Sequence, residues 1–461
     1  MSAASAAGEA VLSAVIRVLA GDPCCFRFAA SQEHLRELNS RDGESCSAGE
    51  FIAVHPADEE QFQRLAAELD RATAGLPGPA VRSDRPYRVG SRVHYRYGAF
   101  APPTVPGEDT ECRPVPRGPG PERTEGVRGT ALRAPERARD PFDGARTGAR
   151  TGRAWGRRRG GVLPVGRYAV TAVVRQSARG GVFLGQEASS GAEVVVKQAR
   201  AYGGPGPVGT DARDALRHEA ALLARLDGQG LAPRAVELIE REDSVFLVQE
   251  RIAGQPLRGW VAARLRRDGK PDVDWAEAGP VAHGLLDLVE RVHARGVVLR
   301  DLSPGSVAVR PDGTLRLVDL GLATEAGRLA GPAGAPGYRA PEHGPGRLAP
   351  ARGRVADPAV DLYALGGLFF LLATGHDPLL PEGLPGARPV ADRLGRWLAL
   401  AARTSGASGA SGTGGTGGTA RRLAPAVLGL RGEEPRQRWG VARARAALRE
   451  DLPGADATAR P

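Results

Sequence analysis

Apolar residues recur at helical spacing over residues 11–19 and again over 58–72, which predicts two amphipathic helices. Short β-rich runs at 51–54 and 92–97 predict strands near them. The pattern then fades. Residues 103–162 hold Pro, Gly and Arg with too few large apolar residues to bury a core, and read as a solvated linker. Patterning resumes at 163. Strands are predicted at 168–174, 181–184 and 192–197, a helix at 211–226, and two further strands at 236–240 and 245–249. The remainder to residue 450 reads mainly as helix, broken by a Gly/Ser/Thr stretch at 405–419 that reads as a flexible insertion. The longest apolar run, 362–373, is shorter than the ~20 residues a bilayer span needs, and is predicted as a buried core helix.

A chain of 461 residues is too long for one core. The succession predicts an α+β protein with domains at 1–102 and 163–450, joined by the linker and ended by a tail at 451–461. Basic residues outnumber acidic ones 63 to 53, and the excess is almost all arginine: Lys197 and Lys270 are the only lysines. Much of the excess falls in 113–159, inside the linker, so the charge does not point to a nucleic-acid partner. Cys24, Cys25, Cys46 and Cys112 have no metal-ligand spacing and read as reduced thiols. With no secretory pattern and no membrane span, a cytoplasmic location is expected.

The candidate chemistry lies in the second domain. In "VVVKQAR", Lys197 ends a buried apolar strand, where an ammonium needs a partner. The next helix offers Glu219 in "LRHEAALLARL". Such a pair would position the lysine on the α- and β-phosphates of ATP. The bland alternative is a lysine snorkelling to solvent. After the helix containing residues 283–295 comes "LRDLSPGSVAV", with Asp301 placed to accept a substrate hydroxyl proton. "LRLVDLGLA" follows, with Asp319 placed to chelate Mg²⁺. "GYRAPE" supplies Glu342, "DLYALG" at 361–366 is the candidate anchor of the Asp301 loop, and Arg438 in "EEPRQRW" is a candidate partner for Glu342.

Six such matches in this order resemble the eukaryotic-type protein kinase family over nearly 290 residues. The resemblance implies a bilobal kinase fold, ATP and Mg²⁺ as cofactors, and Asp301, Lys197 and Glu219 as catalytic residues. Gly180, Val182, Lys197, Gln249 and Glu250 are then expected at the nucleotide, with Asp319 and Ser306 at the metal. Several positions depart from the family pattern. Arg175 and Ser177 stand where the first two glycines of the nucleotide loop are usual. Ser306 stands for an asparagine whose amide oxygen reaches about 1 Å further, so a water bridge to the metal is expected. Ala335 and Ser303 stand for a threonine and a lysine.

"GTDARDALRHEAALL", "RDLSPGSV" and "GAPGYRAPE" are similar to the kinase domain of class III lanthionine synthetases. "FRFAASQEHLRELNSRD", "FIAVHPADEEQFQRLAAEL", "TAGLPGP" and "SDRPYRVGSRVHYRYGAF" resemble the lyase domain that precedes the kinase in that family. The resemblance implies a kinase that phosphorylates Ser and Thr of a precursor peptide, a lyase that eliminates the phosphate, and a cyclase. The chain ends at Pro461, so the cyclase domain is expected to be absent and a separate cyclase is an implied partner. The lyase half looks damaged. Arg27 stands where the family has a lysine base, and a guanidinium hardly deprotonates. The family's acidic partner, from a Lys-x-His segment further upstream, has no counterpart in the 26 residues before Arg27, and Glu50 replaces a lysine. Arg85, Tyr87, Arg96 and Tyr97 are left to hold a phosphate or peptide, or to serve structure alone. Two functions are therefore expected in competition: a Ser/Thr kinase acting on a lanthipeptide-type precursor, and a non-catalytic binding or assembly protein derived from such a synthetase.

Overall fold

The computed structural model describes residues 1–39, 49–81, 84–88, 90–96, 142, 163–177, 179–201, 211–241, 243–268, 273–343, 354–380, 388–407 and 418–449. The insertion expected at 405–419 lies largely outside these residues, as do the tail and almost all of the linker. The chain forms two compact units, Met1–Leu216 with Leu238–Val248 and Arg217–Glu237 with Gln249–Pro461.

The N-terminal part of the first unit is α+β. Helix α1 (Gly8–Gly21) turns Val11, Ala14, Val15 and Leu19 inward, one apolar face at helical spacing. Strand β1 (Cys25–Phe28) and helix α2 (Gln32–Leu38) follow, then β2 (Ile52–His55), which pairs antiparallel with β1 so that Arg27 faces Ala53. Helix α3 (Glu59–Ala72) is started by Asp58, whose carboxylate accepts from Gln61 N at 2.8 Å, and buries Leu65, Ala66 and Leu69. Strands β3 (Arg85–Pro86) and β4 (His94–Tyr95) form a two-residue ladder. The strand expected over 92–97 is thus shorter within the described residues. One more bond follows, Tyr87 N to Val93 O at 2.9 Å, but Val93 N donates to Ser91 Oγ at 3.0 Å and carries the ladder no further. Helix α2 has no counterpart among the expected elements. It is two turns long with only Leu35 buried, so it leaves almost no periodic trace.

One residue of the expected linker joins this core. Phe142 is buried, and its ring meets Tyr87 at 4.9 Å and Phe62 and Tyr95 at 5.3 Å, edge to face in each case. Such aromatic pairs add about 0.5–1.5 kcal/mol each beyond the area they bury.

The kinase-like part begins with a six-stranded sheet of order β5-β6-β7-β8-β10-β9. Its strands are β5 (Leu163–Val165), β6 (Tyr168–Ser177), β7 (Gly180–Glu187), β8 (Glu193–Arg200), β9 (Ala235–Arg241) and β10 (Ser244–Glu250), with helix α4 (Ala212–Leu226) between β8 and β9. Strands β11 (Gln255–Pro256), β13 (Val307–Val309) and β14 (Leu315–Leu317) form a small sheet. Helices α5 (Leu257–Asp268) and α6 (Trp275–His293) lie between β11 and β13 in the chain, and α6 is followed by β12 (Val297–Val298), which pairs with β15 (Thr324–Glu325). A second ladder joins β16 (Leu329–Ala330) to β17 (Arg354–Val355).

Helix α7 (Ala359–Thr374) confirms the core helix expected from the apolar run. Leu365, Leu368, Phe369, Phe370 and Leu372 are fully buried, and Gly375 ends the helix in the left-handed conformation at φ 72°. Each such side chain contributes about 1.5–3 kcal/mol by leaving water. Helices α8 (Val390–Ala407), α9 (Thr419–Leu430) and α10 (Val441–Arg449) complete this unit. A sheet-rich lobe followed by a helical lobe, preceded by an α+β domain, is the expected architecture.

Candidate active site

Strand register sets the first group of residues. Val182 on β7 is paired with Arg175 on β6 and with Lys197 on β8. Directly opposed residues point to the same side of a sheet, so these three share one face. Lys197 is buried. The ladder slips between Val173 and Arg175, which leaves Val174 at an irregularity with 59% of its surface exposed. The hairpin is tight, with Ser177 paired to Gly180 across two residues. Gly180 has φ 151°, and a Cβ there would sit 1.8 Å from Gln198 O. Glycine is therefore demanded by the neighbouring strand, whatever approaches the loop.

The Asp301 loop is built on Asp361, the third residue of α7, which is wholly buried. Its carboxylate accepts from Leu299 N and Arg300 N at 2.7 Å and lies 2.8 Å from His293 Nε2. Arg300 is the one non-glycine with positive φ (64°) among the described residues. That conformation costs about 1–2 kcal/mol for an L residue. Asp361 holds it by the amides of Leu299 and Arg300, and the Arg300 side chain adds bonds to Leu322 O (2.9 Å) and Gly331 O. The strained peptide turns the chain just ahead of Asp301. Ser306 braces the other end: its hydroxyl accepts from Ser303 N at 2.9 Å and lies 3.1 Å from Asp301 O and 3.0 Å from Ser303 O.

Asp319 follows β14, with Oδ1 accepting from Gly321 N at 3.0 Å. Buried Glu219 on α4 accepts from Leu320 N at 3.2 Å, so the helix is tied to the peptide directly after Asp319. The expected Lys197–Glu219 pair joins residues of the two units and stays an expectation. Gln249 is buried with Oε1 lacking a hydrogen-bond partner among the described residues. The Glu250 carboxylate accepts from Arg234 N at 3.1 Å, which ties the end of β10 to the residue before β9.

Glu342 and Arg438 form the ion pair expected from their motifs. Other groupings had no place in the motif reading. Asp377 accepts from Tyr338 Oη at 2.6 Å and from Arg258, and Arg431 lies buried against Tyr363. Burial and Asp377 push the Tyr338 hydroxyl well above the usual tyrosine range. The sequence signal for Arg431 was two adjacent glycines, Gly366 and Gly367, inside an apolar helix.

In the N-terminal domain, Glu50 is gripped by Arg27 and Arg96, each at 2.9 Å, and Arg96 also reaches Asp84 at 3.3 Å. Burial pushes the Glu50 carboxyl up, but Arg96 and Arg27 outweigh it and hold the group below the usual carboxylate range. Burial, then Arg27, pushes nearby His55 down. Arg27 thus carries a carboxylate partner.

The residues fit ATP and Mg²⁺ in part. Asp319 offers the hard carboxylate oxygen that Mg²⁺ prefers. The Ser306 hydroxyl is already engaged within its loop, so it does not fit as a direct ligand.

Two family models match the chain. The N-terminal domain of RamC matches residues 1–153, and the protein kinase domain matches residues 168–385. The chain is 34% identical over 379 residues to "Probable SapB synthase" of Streptomyces coelicolor, covering 79% of this chain and 38% of that protein. It is 32% identical over 253 residues to serine/threonine-protein kinase Pkn1 of Myxococcus xanthus, covering 48% of this chain and 31% of that one. It is 30% identical over 240 residues to the DNA damage-responsive serine/threonine-protein kinase RqkA of Deinococcus radiodurans, covering 48% and 32%. The chain thus spans about a third of the length of these three relatives. No helix among the described residues is long and apolar enough to cross a membrane.

Proposed function

This chain is class III lanthionine synthetase-like, a RamC-type N-terminal domain followed by a protein kinase domain, and from that premise we propose that it phosphorylates Ser and Thr of a lanthipeptide-type precursor peptide. The observation that carries the reading is the Asp301 loop, a strained Arg300 clamped by buried Asp361. A carboxylate held this way accepts the proton of a peptide hydroxyl as its oxygen attacks the γ-phosphorus and the bond to ADP breaks. Lys197, with Glu219 as its expected partner, would hold the α- and β-phosphates. Gly180 and Val182 would cover the nucleotide, and Gln249 and Glu250 would meet its base. Mg²⁺, held by Asp319, neutralises charge on the phosphates when bound. Ser306 keeps the loop in shape and reaches the second metal position only through water.

The RamC-type domain is proposed to have lost elimination chemistry. Removing a phosphate from phosphoserine needs a base at the α-carbon, and Arg27, engaged by Glu50, has none to offer. A second lyase and a separate cyclase would then act on the product. Mass spectrometry of a precursor peptide incubated with the protein, ATP and Mg²⁺ tests both halves. Each site should gain about 80 Da as HPO₃, and no species lighter by about 18 Da should appear. Asp301→Asn should abolish the gain. Dehydrated peptide from a pure preparation would sink the lyase assignment. Peptide that binds but stays unmodified would favour a binding or assembly protein, the reading that the engaged Ser306 supports.

A further inference from the structure

Arg431 follows α9 and is buried at 3% exposure. Its Nη1 donates to Gly337 O at 3.0 Å and its Nη2 to Tyr363 Oη at 2.9 Å, while the guanidinium lies over the Tyr363 ring at 4.1 Å. No carboxylate meets it among the described residues. Space for it exists only because α7 carries Gly366 and Gly367. A Cβ at Gly366 would lie 2.6 Å from Arg431 Cγ, and one at Gly367 would lie 2.9 Å from Nη1. Glycines inside a helix weaken it, so this notch has a cost that the buried guanidinium explains.

Gly337 belongs to a segment that runs beside the Asp301 loop. The backbone at Gly334 abuts Arg300 O, the residue before Asp301, with an ideal Cβ 3.3 Å away. Gly337 itself has φ 81°, a left-handed bend held on one side by Pro378 and on the other by Arg431. Tyr338 is tied in turn to Asp377. A peptide presenting its hydroxyl to Asp301 must lie against this segment.

We propose that Arg431 is a positioning residue for peptide binding, fixing the Gly337 bend through a buried cation; the proposal rests on the kinase reading above. Its two Nη donors go to a main-chain carbonyl and a phenol, while Nε meets no partner among the described residues, so the loop and not the nucleotide depends on these bonds.

The test uses the full chain, with dephosphorylated casein as the peptide probe and ATP with Mg²⁺. Arg431→Met keeps an apolar stem and removes both donors; Arg431→Lys keeps the charge and one donor. The Met variant should raise KM for casein about tenfold, the scale of one charged hydrogen bond. KM for ATP and the thermal shift on adding ATP should stay within about twofold, and the Lys variant should recover part of the loss. Amide exchange of residues 333–340 should quicken about tenfold in the Met variant, a readout that needs no turnover. Parallel rises in both KM values, or unchanged exchange, would overturn the proposal. Should Arg431→Met fail to fold, Tyr363→Phe removes one acceptor without opening a cavity. It should shift casein KM and the exchange of 333–340 in the same direction, and no shift in either would overturn the idea. If the wild type phosphorylates no casein, the kinase reading still stands or falls on the precursor peptide, and the exchange of 333–340 decides the role of Arg431: unchanged exchange in Arg431→Met overturns it.

Discussion

Arg438 and Glu342 meet in a two-pronged ion pair, Nη1 at 2.7 Å from Oε1 and Nη2 at 2.6 Å from Oε2. The Arg438 side chain is fully buried, and its remaining N–H groups donate to Gly432 O, Ala359 O and Glu433 O. The pair therefore joins the end of the Ala333–Glu342 segment to α7 and to the chain after α9.

Removing one partner strands a buried charge, so Arg438→Ala should cost about 3–5 kcal/mol, read as a fall in melting temperature. The pair also sets an acid limit. Burial pushes the Glu342 carboxyl up, but Arg438 outweighs it and the net pKa is lowered. A lowered carboxylate contributes stability above its unfolded pKa of about 4.3, and loses it as pH falls through the lower folded value. Melting temperature should thus drop more steeply below about pH 4 in the wild type than in Glu342→Gln.

Lys197 is the lysine that shares a sheet face with Val182. ATP with Mg²⁺ should raise the melting temperature of the wild type by mass action. Lys197→Ala should lose most of that rise, while Lys270→Ala keeps it. Equal shifts in the two variants would remove Lys197 from the nucleotide site.

Ser306 holds its loop with one hydroxyl. An asparagine there can donate to Asp301 O through its amide nitrogen and leave its oxygen to a metal. Ser306→Asn should increase phosphoryl transfer, most at low Mg²⁺. Ser306→Ala, which loses the brace, should lower kcat at every Mg²⁺ concentration. An Asn variant no faster than wild type anywhere in the titration would show that this position does not limit the reaction.

Phe142 makes three aromatic contacts from within a Pro/Gly/Arg-rich stretch. Phe142→Ala should destabilise the N-terminal domain by about 3 kcal/mol, the low end for emptying an aromatic site in a core. Urea unfolding followed by exchange of α3 amides would measure this. An unaltered midpoint would mean that the ring contributes no net packing.

Local pattern determined the helices at 8–21, 59–72 and 212–226, because each carries its apolar face in its own spacing, and the one at 359–374 through its continuous apolar run. Short chemical motifs likewise marked Asp301, Asp319 and the Glu342–Arg438 pair, since a turn residue or a charged partner is written into a few adjacent letters. What tertiary structure decided is what depends on neighbours distant in the chain. Gly180 reads as a phosphate-loop glycine, yet the Gln198 carbonyl across the ladder is what demands it. Phe142 is one aromatic in a run without periodicity, and only the site formed by Phe62, Tyr87 and Tyr95 makes it core. Arg431 resembles any of the chain's many arginines until Gly366 and Gly367 are seen to make room for it against Gly337. Periodicity and motif are properties of a segment, whereas burial and hydrogen-bond partnership belong to pairs of segments, and the fold alone brings those pairs together.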